Sequence, residues 1–244
     1  MRSKRTRLDR YISQTVGVNR GEVRAMLAQG RLHLDGVPAT DIHQPVDEFT
    51  RVVMDGKILQ DKKPIYLMLH KPSGVVSATK DDKHTTVIDL LDHPQKHELH
   101  IVGRLDFNTS GLMLLTNDGR WSRQLTQPES KVIKRYRVIL EHPLTQDYIA
   151  AFAEGMYFAF EDITTRPAQL IILSEYEAEV ALVEGRYHQI KRMFGRFQNP
   201  VVGLHRIAIG NLQLGHDVAV GQSRLLTHEE VCLLFSNEQT KLFG

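Results

Sequence analysis

The chain has 244 residues, of which 41% are hydrophobic and 25% are charged, so it has enough apolar matter for a sizeable core in one or two domains. No apolar run is long enough to cross a bilayer and no apolar segment follows the basic N-terminus, so we expect neither a membrane span nor a secretory leader. The single cysteine, Cys232, lies in the apolar run VCLLF, which predicts a core thiol in a cytoplasmic protein without disulfides.

The formal net charge is only +2, but the cations are concentrated near the N-terminus. Residues 1–34 hold eight Lys and Arg residues against Asp9 and Glu22. The eight are Arg2, Lys4, Arg5, Arg7, Arg10, Arg20, Arg24 and Arg31. Such a block indicates a polyanion partner such as nucleic acid, although a solvated helix face explains basic runs at least as often.

Two short helices are predicted at the N-terminus. The first has apolar residues at helical spacing, namely Leu8, Tyr11, Ile12 and Val16. Gly17 ends it. Asn19 caps the second helix, Glu22 completes a capping box, and Gly30 is its expected end.

Strands and basic residues accompany this helix pair. The stretch RLHLDGVPA predicts two short strands around an Asp35-Gly36 turn. Arg20 and Arg24 lie four residues apart on the second helix, so they share a face and are spaced to meet successive phosphates.

The N-terminal segment resembles the S4 RNA-binding domain over residues 7–55. The stretches RLDRYI and NRGEVRAMLAQGRLHLDG, with Pro38 after them, carry this resemblance. It implies RNA binding but specifies no chemistry. We therefore expect an S4-like RNA-binding domain at residues 1–59, followed by a polar linker, QDKKP, at residues 60–64.

A second domain is predicted at residues 65–244. IYLMLHKPSGVVSA indicates a buried strand before a Pro-Gly turn, with further strands at GLMLLT, KRYRVILE, AQLIILS and AEVALVEG. Helices are predicted at GRWSRQLTQ, TQDYIAAFAEG and YHQIKRMFGRF. Strands dominate without a regular strand-helix alternation, so we expect an α+β fold, with a mostly antiparallel mixed sheet and flanking helices in the larger domain.

Asp106 is the one carboxylate in the stretch GRLDFNTSGL, residues 103–112. Asp, Asn, Ser and Gly all favour turns. On these residues alone, Asp106 is either a turn residue or a nucleophile held beside a cation.

Four motifs in order resemble the RsuA-type pseudouridine synthases. They are HKPSGVVS, GRLDFNTSGLMLLTNDG, KRYRV, and EGRYHQIKRMF with LHRIAIG after it. The resemblance spans residues 1–235, and GRYHQ, KRMF and LHR with IG are closest to the enzyme that modifies small-subunit ribosomal RNA. It implies the pseudouridine synthase fold and the conversion of uridine to pseudouridine, a reaction that needs no cofactor and no metal.

The resemblance also implies roles for individual residues. Asp106 is the nucleophile or base. Since desolvation disfavours a charged carboxylate, Arg186 is expected to be the cation that keeps it ionised, with Arg104 as the nearby alternative. Tyr136 matches the tyrosine that stacks on the target base, and Leu204 matches the apolar residue that closes the pocket.

A second basic segment is predicted near this site. The helix HQIKRMFGRF carries Lys191, Arg192 and Arg196 close to His205 and Arg206, which predicts a basic patch for the RNA backbone, against a solvated helix face as the alternative. The expected substrate- and RNA-binding residues are Arg104, Leu204, Lys71, Lys191, Arg192, Arg20, Arg24 and Arg10.

The histidines do not predict a metal site. His93, His97 and His100 fall at near-helical spacing, but Pro94 breaks the register and HELH lacks the spacing of the zinc-protease helix.

The leading interpretation is a cytoplasmic, monomeric enzyme that acts on small-subunit ribosomal RNA, either naked or as an assembly particle with ribosomal proteins. Three alternatives remain. The first is a large-subunit enzyme, and the second is a non-catalytic RNA-binding ribosome-assembly factor. The third is a nucleoside hydrolase or RNA glycosylase, which would release free uracil.

Overall fold

The computed structural model describes residues 5–235, and the chain divides into two compact units, Met1–Pro64 and Ile65–Gly244. Arg2 and Lys4 of the predicted basic block lie outside the described residues. Gln60, which the sequence assigned to a linker, is instead the last residue of a strand. Its side-chain amide donates hydrogen bonds to the carbonyls of Asp47 and Thr50, so Gln60 belongs to the N-terminal unit.

The N-terminal unit combines two short helices with short strands. Its elements are β1 (Thr6–Arg7), α1 (Leu8–Val16), α2 (Arg20–Ala28), β2 (Leu32–Leu34), β3 (Val37–Pro38), β4 (Pro45–Val46), β5 (Val52–Met54) and β6 (Lys57–Gln60). Strand β1 pairs with β4, and the others form an antiparallel sheet in the order β3-β2-β5-β6. Leu8, Ile12 and Val23 of the helices join the strand residues in one hydrophobic core.

Local signals determine this unit's helix ends and hairpin. Gly17 adopts a left-handed φ of 81° after α1. Asn19 Oδ1 accepts a hydrogen bond from the Glu22 amide, and Glu22 Oε2 accepts one from the Asn19 amide. Asp35 and Gly36 take φ values of 51° and 85° between β2 and β3. Both predicted helices and the hairpin are therefore confirmed.

The C-terminal unit is richer in strands. Its elements are β7 (Tyr66–Lys71), β8 (His100–Val102), β9 (Ser110–Thr116), α3 (Gly119–Thr126), β10 (Lys134–Leu140), α4 (Asp147–Glu154), β11 (Tyr157–Phe158), β12 (Ile163–Thr164), β13 (Gln169–Ser174), β14 (Glu177–Leu182), α5 (Gln189–Gly195), β15 (Val201–Ile209), β16 (Leu212–Gln213), β17 (Ser223–Leu225) and α6 (His228–Leu233). Short 3-10 turns occur at Lys96–Glu98 and Pro128–Ser130.

Nine of the eleven strands of residues 65–235 form one mixed sheet, and β11 and β12 pair separately. Its order is β13-β14-β10-β15-β9-β7-β17, with β16 paired to β15 and β8 paired to β9. The pairing of β9 with β15 is parallel, and the other pairings in this sheet are antiparallel. The predicted α+β class with a mostly antiparallel mixed sheet is confirmed.

The sheet is covered on both faces, as the alternation of side chains along β7 demonstrates. Leu67 and Leu69 belong to one buried cluster, which also contains Phe152 and Phe194 from helices α4 and α5. Met68 belongs to the other cluster, together with residues of α3. Two layers of helix and loop therefore enclose the central strands.

The prediction that Cys232 is a core thiol is wrong. Cys232 is exposed on α6, with its Sγ atom 3.8 Å from His228 Nε2. Leu234 is the residue of this segment that is buried, and it joins the cluster around Trp121. The apolar run VCLLF thus directs only part of its side chains inward. None of the helices between residues 5 and 235 is long and apolar enough to span a membrane.

Candidate active site

A cleft of about 560 Å³ in the C-terminal unit gathers most of the residues that the sequence selected. Loop 103–109, strands β10 and β15, loop 185–188 and helix α5 contribute its walls. The predicted residues that line it are Asp106, Tyr136, Arg186, Lys191, Leu204 and Arg104. Its volume falls within the range of small-molecule sites, about 300–1,000 Å³.

Asp106 lies on the tight loop between β8 and β9. The Thr109 amide donates to the Asp106 carbonyl at 3.0 Å, which closes a turn. One residue earlier, the Leu105 backbone exchanges two hydrogen bonds with the Ser77 hydroxyl. The turn interpretation of GRLDFNTSGL is therefore correct for its backbone, and the same turn projects the Asp106 side chain into the cleft.

Lys71 does not bind RNA in the way that the sequence predicted, because its side chain is fully buried. The Nζ atom donates to the carbonyls of Thr109 at 2.8 Å and of Pro72 at 3.0 Å. It also lies 3.2 Å and 3.3 Å from the carbonyls of Asp106 and Phe107. Burial lowers the pKa of Lys71 to about 8. Lys71 is thus an internal support for the Asp106 loop.

The expected ion pair between Arg186 and Asp106 is not formed. Arg186 Nε lies 3.0 Å from Glu184 Oε2. Glu184 is mostly buried, and its other carboxylate oxygen accepts from Gln189 Nε2 at 2.6 Å. Gln189 in turn accepts from the Arg186 amide through Oε1. Because Glu184 is desolvated, it needs a cation and donors, and Arg186 and Gln189 satisfy it.

The ionisable side chain that pairs with the Asp106 carboxylate is that of His188. Its Nε2 atom lies 3.4 Å from Asp106 Oδ2. His188 stands at the N-terminus of α5 in a left-handed backbone conformation, φ 49°, and its ring stacks on that of Tyr187. Neither His188 nor Tyr187 was predicted as a site residue from the sequence, although both lie within the motif around Arg186. No local periodicity signals the left-handed turn that brings them to the cleft.

Tyr136 lines the cleft from strand β10 and is only 8% exposed. Arg206, opposite it on β15, is almost fully buried and places Nη1 3.5 Å from the Tyr136 hydroxyl. Arg206 Nε donates to the Leu112 carbonyl at 2.7 Å. Arg206 is therefore part of the support under Tyr136, and its predicted place in an RNA-binding patch is wrong.

The other residues of the predicted basic patch differ in their charge and in their partners. His205 is hydrogen-bonded to the Ser110 hydroxyl, and burial, followed by the neighbouring His70, lowers its pKa, which disfavours a positive charge. Arg192 pairs with Glu161 at 2.6 Å and lies over the Phe158 ring. Lys191 lines the cleft, and among residues 5–235 no acidic group pairs with it.

The predicted cations of the N-terminal unit differ in their pairing. Asp9 is completely buried and forms ion pairs with Arg7 and Arg20. Arg10 and Arg24 are exposed. Arg20 is thus fixed by a buried carboxylate, whereas Arg24 extends from the α2 surface with no acid paired to it in the described part of the chain.

Within residues 5–235, no cluster of three or more His, Cys, Asp and Glu side chains is arranged to hold a metal ion. The cleft chemistry that the described side chains can supply consists of one carboxylate, one imidazole, several cations, and aromatic and apolar surfaces.

Comparison with known proteins identifies the family. The profile of RNA pseudouridylate synthase matches residues 65–195. The ribosomal small subunit pseudouridine synthase A of Pseudomonas aeruginosa is 48% identical over 227 residues, which cover 93% of this chain and 99% of that protein. The enzyme of the same name from Escherichia coli K12 is 40% identical over 92% of this chain and 98% of its own length. A crystal structure of a pseudouridylate synthase matches with a TM-score of 0.68 and 37% identity, over 93% of this chain and 99% of that one. This chain belongs to the RNA pseudouridylate synthase family.

Proposed function

We propose that this protein converts one specific uridine of bacterial small-subunit ribosomal RNA into pseudouridine, with Asp106 as the nucleophile or base. The observation that carries the proposal is that the Asp106 carboxylate lies in a cleft that Tyr136 also lines. Relatives that match nearly the full chain bear the name of that activity and substrate. We place this reaction in the cytoplasm. A single copy of the chain would act either on naked RNA or on an assembly particle.

The chemistry needs only what the cleft contains. The bond between uracil N1 and ribose C1′ breaks, the freed base turns, and C5 joins C1′; C5 then loses its proton and N1 gains one. A carboxylate at Asp106 can add to the sugar or the base, or it can remove a ribose proton to start departure of the base. The flipped uracil stacks on Tyr136, worth about 1–3 kcal/mol, and Leu204 packs on the base from the same cleft.

The cleft offers an imidazole and a lysine to keep Asp106 ionised while a bound base excludes water. His188 already lies beside the carboxylate. Lys191 lines the same cleft without an acidic partner, so its charge is available when RNA closes the site. Arg186 already pairs with Glu184 through Nε, which makes it a weaker partner for Asp106.

Cations outside the reacting centre position the RNA by binding its phosphates. Arg104 and Arg186 are exposed at the cleft and are suited to phosphates on either side of the flipped nucleotide. Arg10, Arg20 and Arg24 give the N-terminal unit an RNA-binding surface of the S4 type. These contacts hold the backbone, while the cleft selects the base.

The alternatives differ in what they need from the cleft. A non-catalytic assembly factor would not need a carboxylate beside an imidazole in a cleft that a buried tyrosine also lines. A glycosylase would release uracil, and a large-subunit enzyme would modify the other ribosomal RNA.

Pseudouridine mapping in ribosomal RNA from cells with and without this gene tests the proposal. One site in small-subunit RNA is expected to disappear, and complementation with the wild-type gene is expected to restore it. Complementation with Asp106→Asn is expected to fail although the variant still binds RNA, because the charge is lost while the shape is kept. A missing site in large-subunit RNA, or turnover by Asp106→Asn, would contradict the proposal.

A further inference from the structure

The rim of the cleft carries a large aromatic ring that the reaction at Asp106 does not use. Tyr187 lines the cleft, yet the residue is 76% exposed. Single exposed aromatic residues are normal on protein surfaces, so exposure alone assigns it no role. Three further features of the position of Tyr187 do indicate a role.

The first feature is that the ring is held in a fixed orientation. Tyr187 and His188 stack with centroids 3.9 Å apart and an angle of 20° between their planes. One face of the tyrosine is covered by the imidazole, which leaves the other face for a ligand. A ring fixed in this way loses little conformational entropy when a flat ligand stacks on it.

The second feature is the backbone that places the pair. His188 has φ 49° and ψ 29°, a left-handed conformation that histidine adopts more readily than most residues other than glycine. The buried network of Glu184 and Gln189 fixes the segment around it. The surrounding structure therefore holds Tyr187 and His188 in place.

The third feature is distance from the reacting group. His188 Nε2 lies 3.4 Å from Asp106 Oδ2, so the Tyr187 ring is one imidazole away from the carboxylate. Tyr136 occupies the interior of the same cleft and is buried. The cleft therefore presents one aromatic surface at depth and a second one at its rim.

We propose that Tyr187, backed by His188, is a stacking platform for the base of the nucleotide next to the target uridine in the RNA strand. This inference rests on the proposed function and adds a second subsite to it. Sequence-specific recognition of RNA uses unstacked bases laid on aromatic side chains. When the target uridine leaves its stack to enter the cleft, its neighbour loses a stacking partner, and the free face of Tyr187 replaces that partner. The exposed cations Arg104 and Arg186 at the cleft are suited to the phosphates that link the two nucleotides.

The test combines a protein change with an RNA change. The full-length wild type, Tyr187→Ala and Tyr187→Phe are assayed on small-subunit RNA assembled by ligation, with either an intact or an abasic nucleotide on one side of the mapped uridine. Tyr176→Ala is the matched control, because Tyr176 is 43% exposed and lies outside the cleft.

On intact RNA, Tyr187→Ala is expected to lower kcat/KM about ten-fold, the size of one stacked base. The loss should appear mainly in KM, since the stack is present in both the ground state and the transition state. Tyr187→Phe and Tyr176→Ala should resemble wild type. On RNA with the relevant abasic neighbour, wild type should lose a similar factor and Tyr187→Ala should lose nothing more.

Equal losses by Tyr187→Ala on intact RNA and on both abasic RNAs would overturn the inference, because the ring would then serve only the fold or His188. If wild type made no pseudouridine in the intact RNA, the proposed function would fail instead. Binding of the same RNAs by wild type and Tyr187→Ala, measured in parallel, decides the stacking question in that case.

Discussion

Lys71 Nζ donates a 2.8 Å hydrogen bond to the Thr109 carbonyl, and thereby ties the end of β7 to the loop that carries Asp106. The carbonyl of Asp106 itself lies 3.2 Å from the same nitrogen. A buried ammonium is costly unless it is surrounded by acceptors, and here the loop carbonyls supply them. The lysine and the loop therefore hold each other in place.

Lys71→Met keeps the length of the side chain but removes its donors, so the Thr109 and Pro72 carbonyls lose the hydrogen bonds that Lys71 supplies. We expect the free energy of unfolding to fall by about 2–3 kcal/mol and kcat to fall at least roughly ten-fold, because the Asp106 loop loses its support. Denaturant unfolding and single-turnover assays measure the two effects. RNA affinity should be unchanged, whereas a raised KM with normal kcat would indicate the RNA contact that the sequence suggested.

Gly111→Ala tests the parallel pairing of β9 with β15. Gly111 has φ 113°, and a Cβ atom there would approach Arg206 N and O to 2.5 Å and to 2.3 Å. Backbone atoms of a central strand cannot move aside cheaply, so we expect a loss of more than about 3 kcal/mol in denaturant unfolding.

Gly221→Ala is the matched control for Gly111→Ala. Gly221 also has a positive φ, 83°, but no atom lies near its missing Cβ. Gly221→Ala should lower the free energy of unfolding by only about 1 kcal/mol, because backbone strain is its only penalty. Equal losses in the two variants would show that strain, and not the clash with Arg206, limits position 111.

Structural features that depend on a few neighbouring residues were predicted correctly from the sequence. The capping box of Asn19 and Glu22 and the Asp35-Gly36 turn are determined within a few residues, and both were predicted. Strand β15, with a buried arginine and a glycine in VVGLHRIAI, has no clean alternation and was missed, although it lies beside both β10 and β9.

In the candidate site, too, the residues within recognisable motifs were predicted, and the contacts that depend on the folded chain were not. The motifs identified Asp106, Tyr136, Leu204 and Lys191, which the structure brings to one cleft. Lys71 was predicted to bind RNA, although it is buried as charged residues rarely are, and only the folded chain reveals the carbonyls that surround it. The pairing of Arg186 with Glu184 likewise depends on the burial of Glu184, which is a tertiary property.

The ranking of cations around Asp106 is a further prediction. Lys191→Met should lower kcat by roughly a hundred-fold, the scale of one electrostatic contact in a water-excluded site. Arg186→Met should lower kcat by less than about ten-fold, since its charge already serves Glu184. Rates at saturating RNA measure both variants, with circular dichroism to verify folding. The reverse ranking would restore Arg186 as the partner of Asp106.

Arg24→Ala should weaken RNA binding and reduce its salt dependence. Arg24 is exposed on α2, and each phosphate contact that is lost lowers the slope of log K against log salt by about one. Equilibrium binding of small-subunit RNA over a salt series gives the slope. Lys57→Ala, an exposed cation of strand β6, is the comparison, and an equal effect of both variants would indicate only diffuse charge.

The last prediction concerns acid stability and the buried Asp9 carboxylate. Hydrogen bonds from Arg7, together with the Arg10 amide, lower the pKa of Asp9 below its ordinary value of 3.8. The unfolded chain therefore binds this proton more readily than the folded unit does, and stability is lost as the pH falls. The contribution of Asp9 is complete above about pH 4 and disappears as the pH drops through the lower folded value.

Asp9→Asn should accordingly reduce the protection of α1 amides against hydrogen exchange at neutral pH, and the difference from wild type should shrink as the pH falls below the ordinary pKa of 3.8. Asp55→Asn is the matched control, because Asp55 also has a lowered pKa but pairs with Arg31 at the surface, where ion pairs contribute little. The expected order is a large effect at Asp9 and a small one at Asp55. A difference between wild type and Asp9→Asn that did not change with pH would mean that packing of the side chain, and not its charge, stabilises α1.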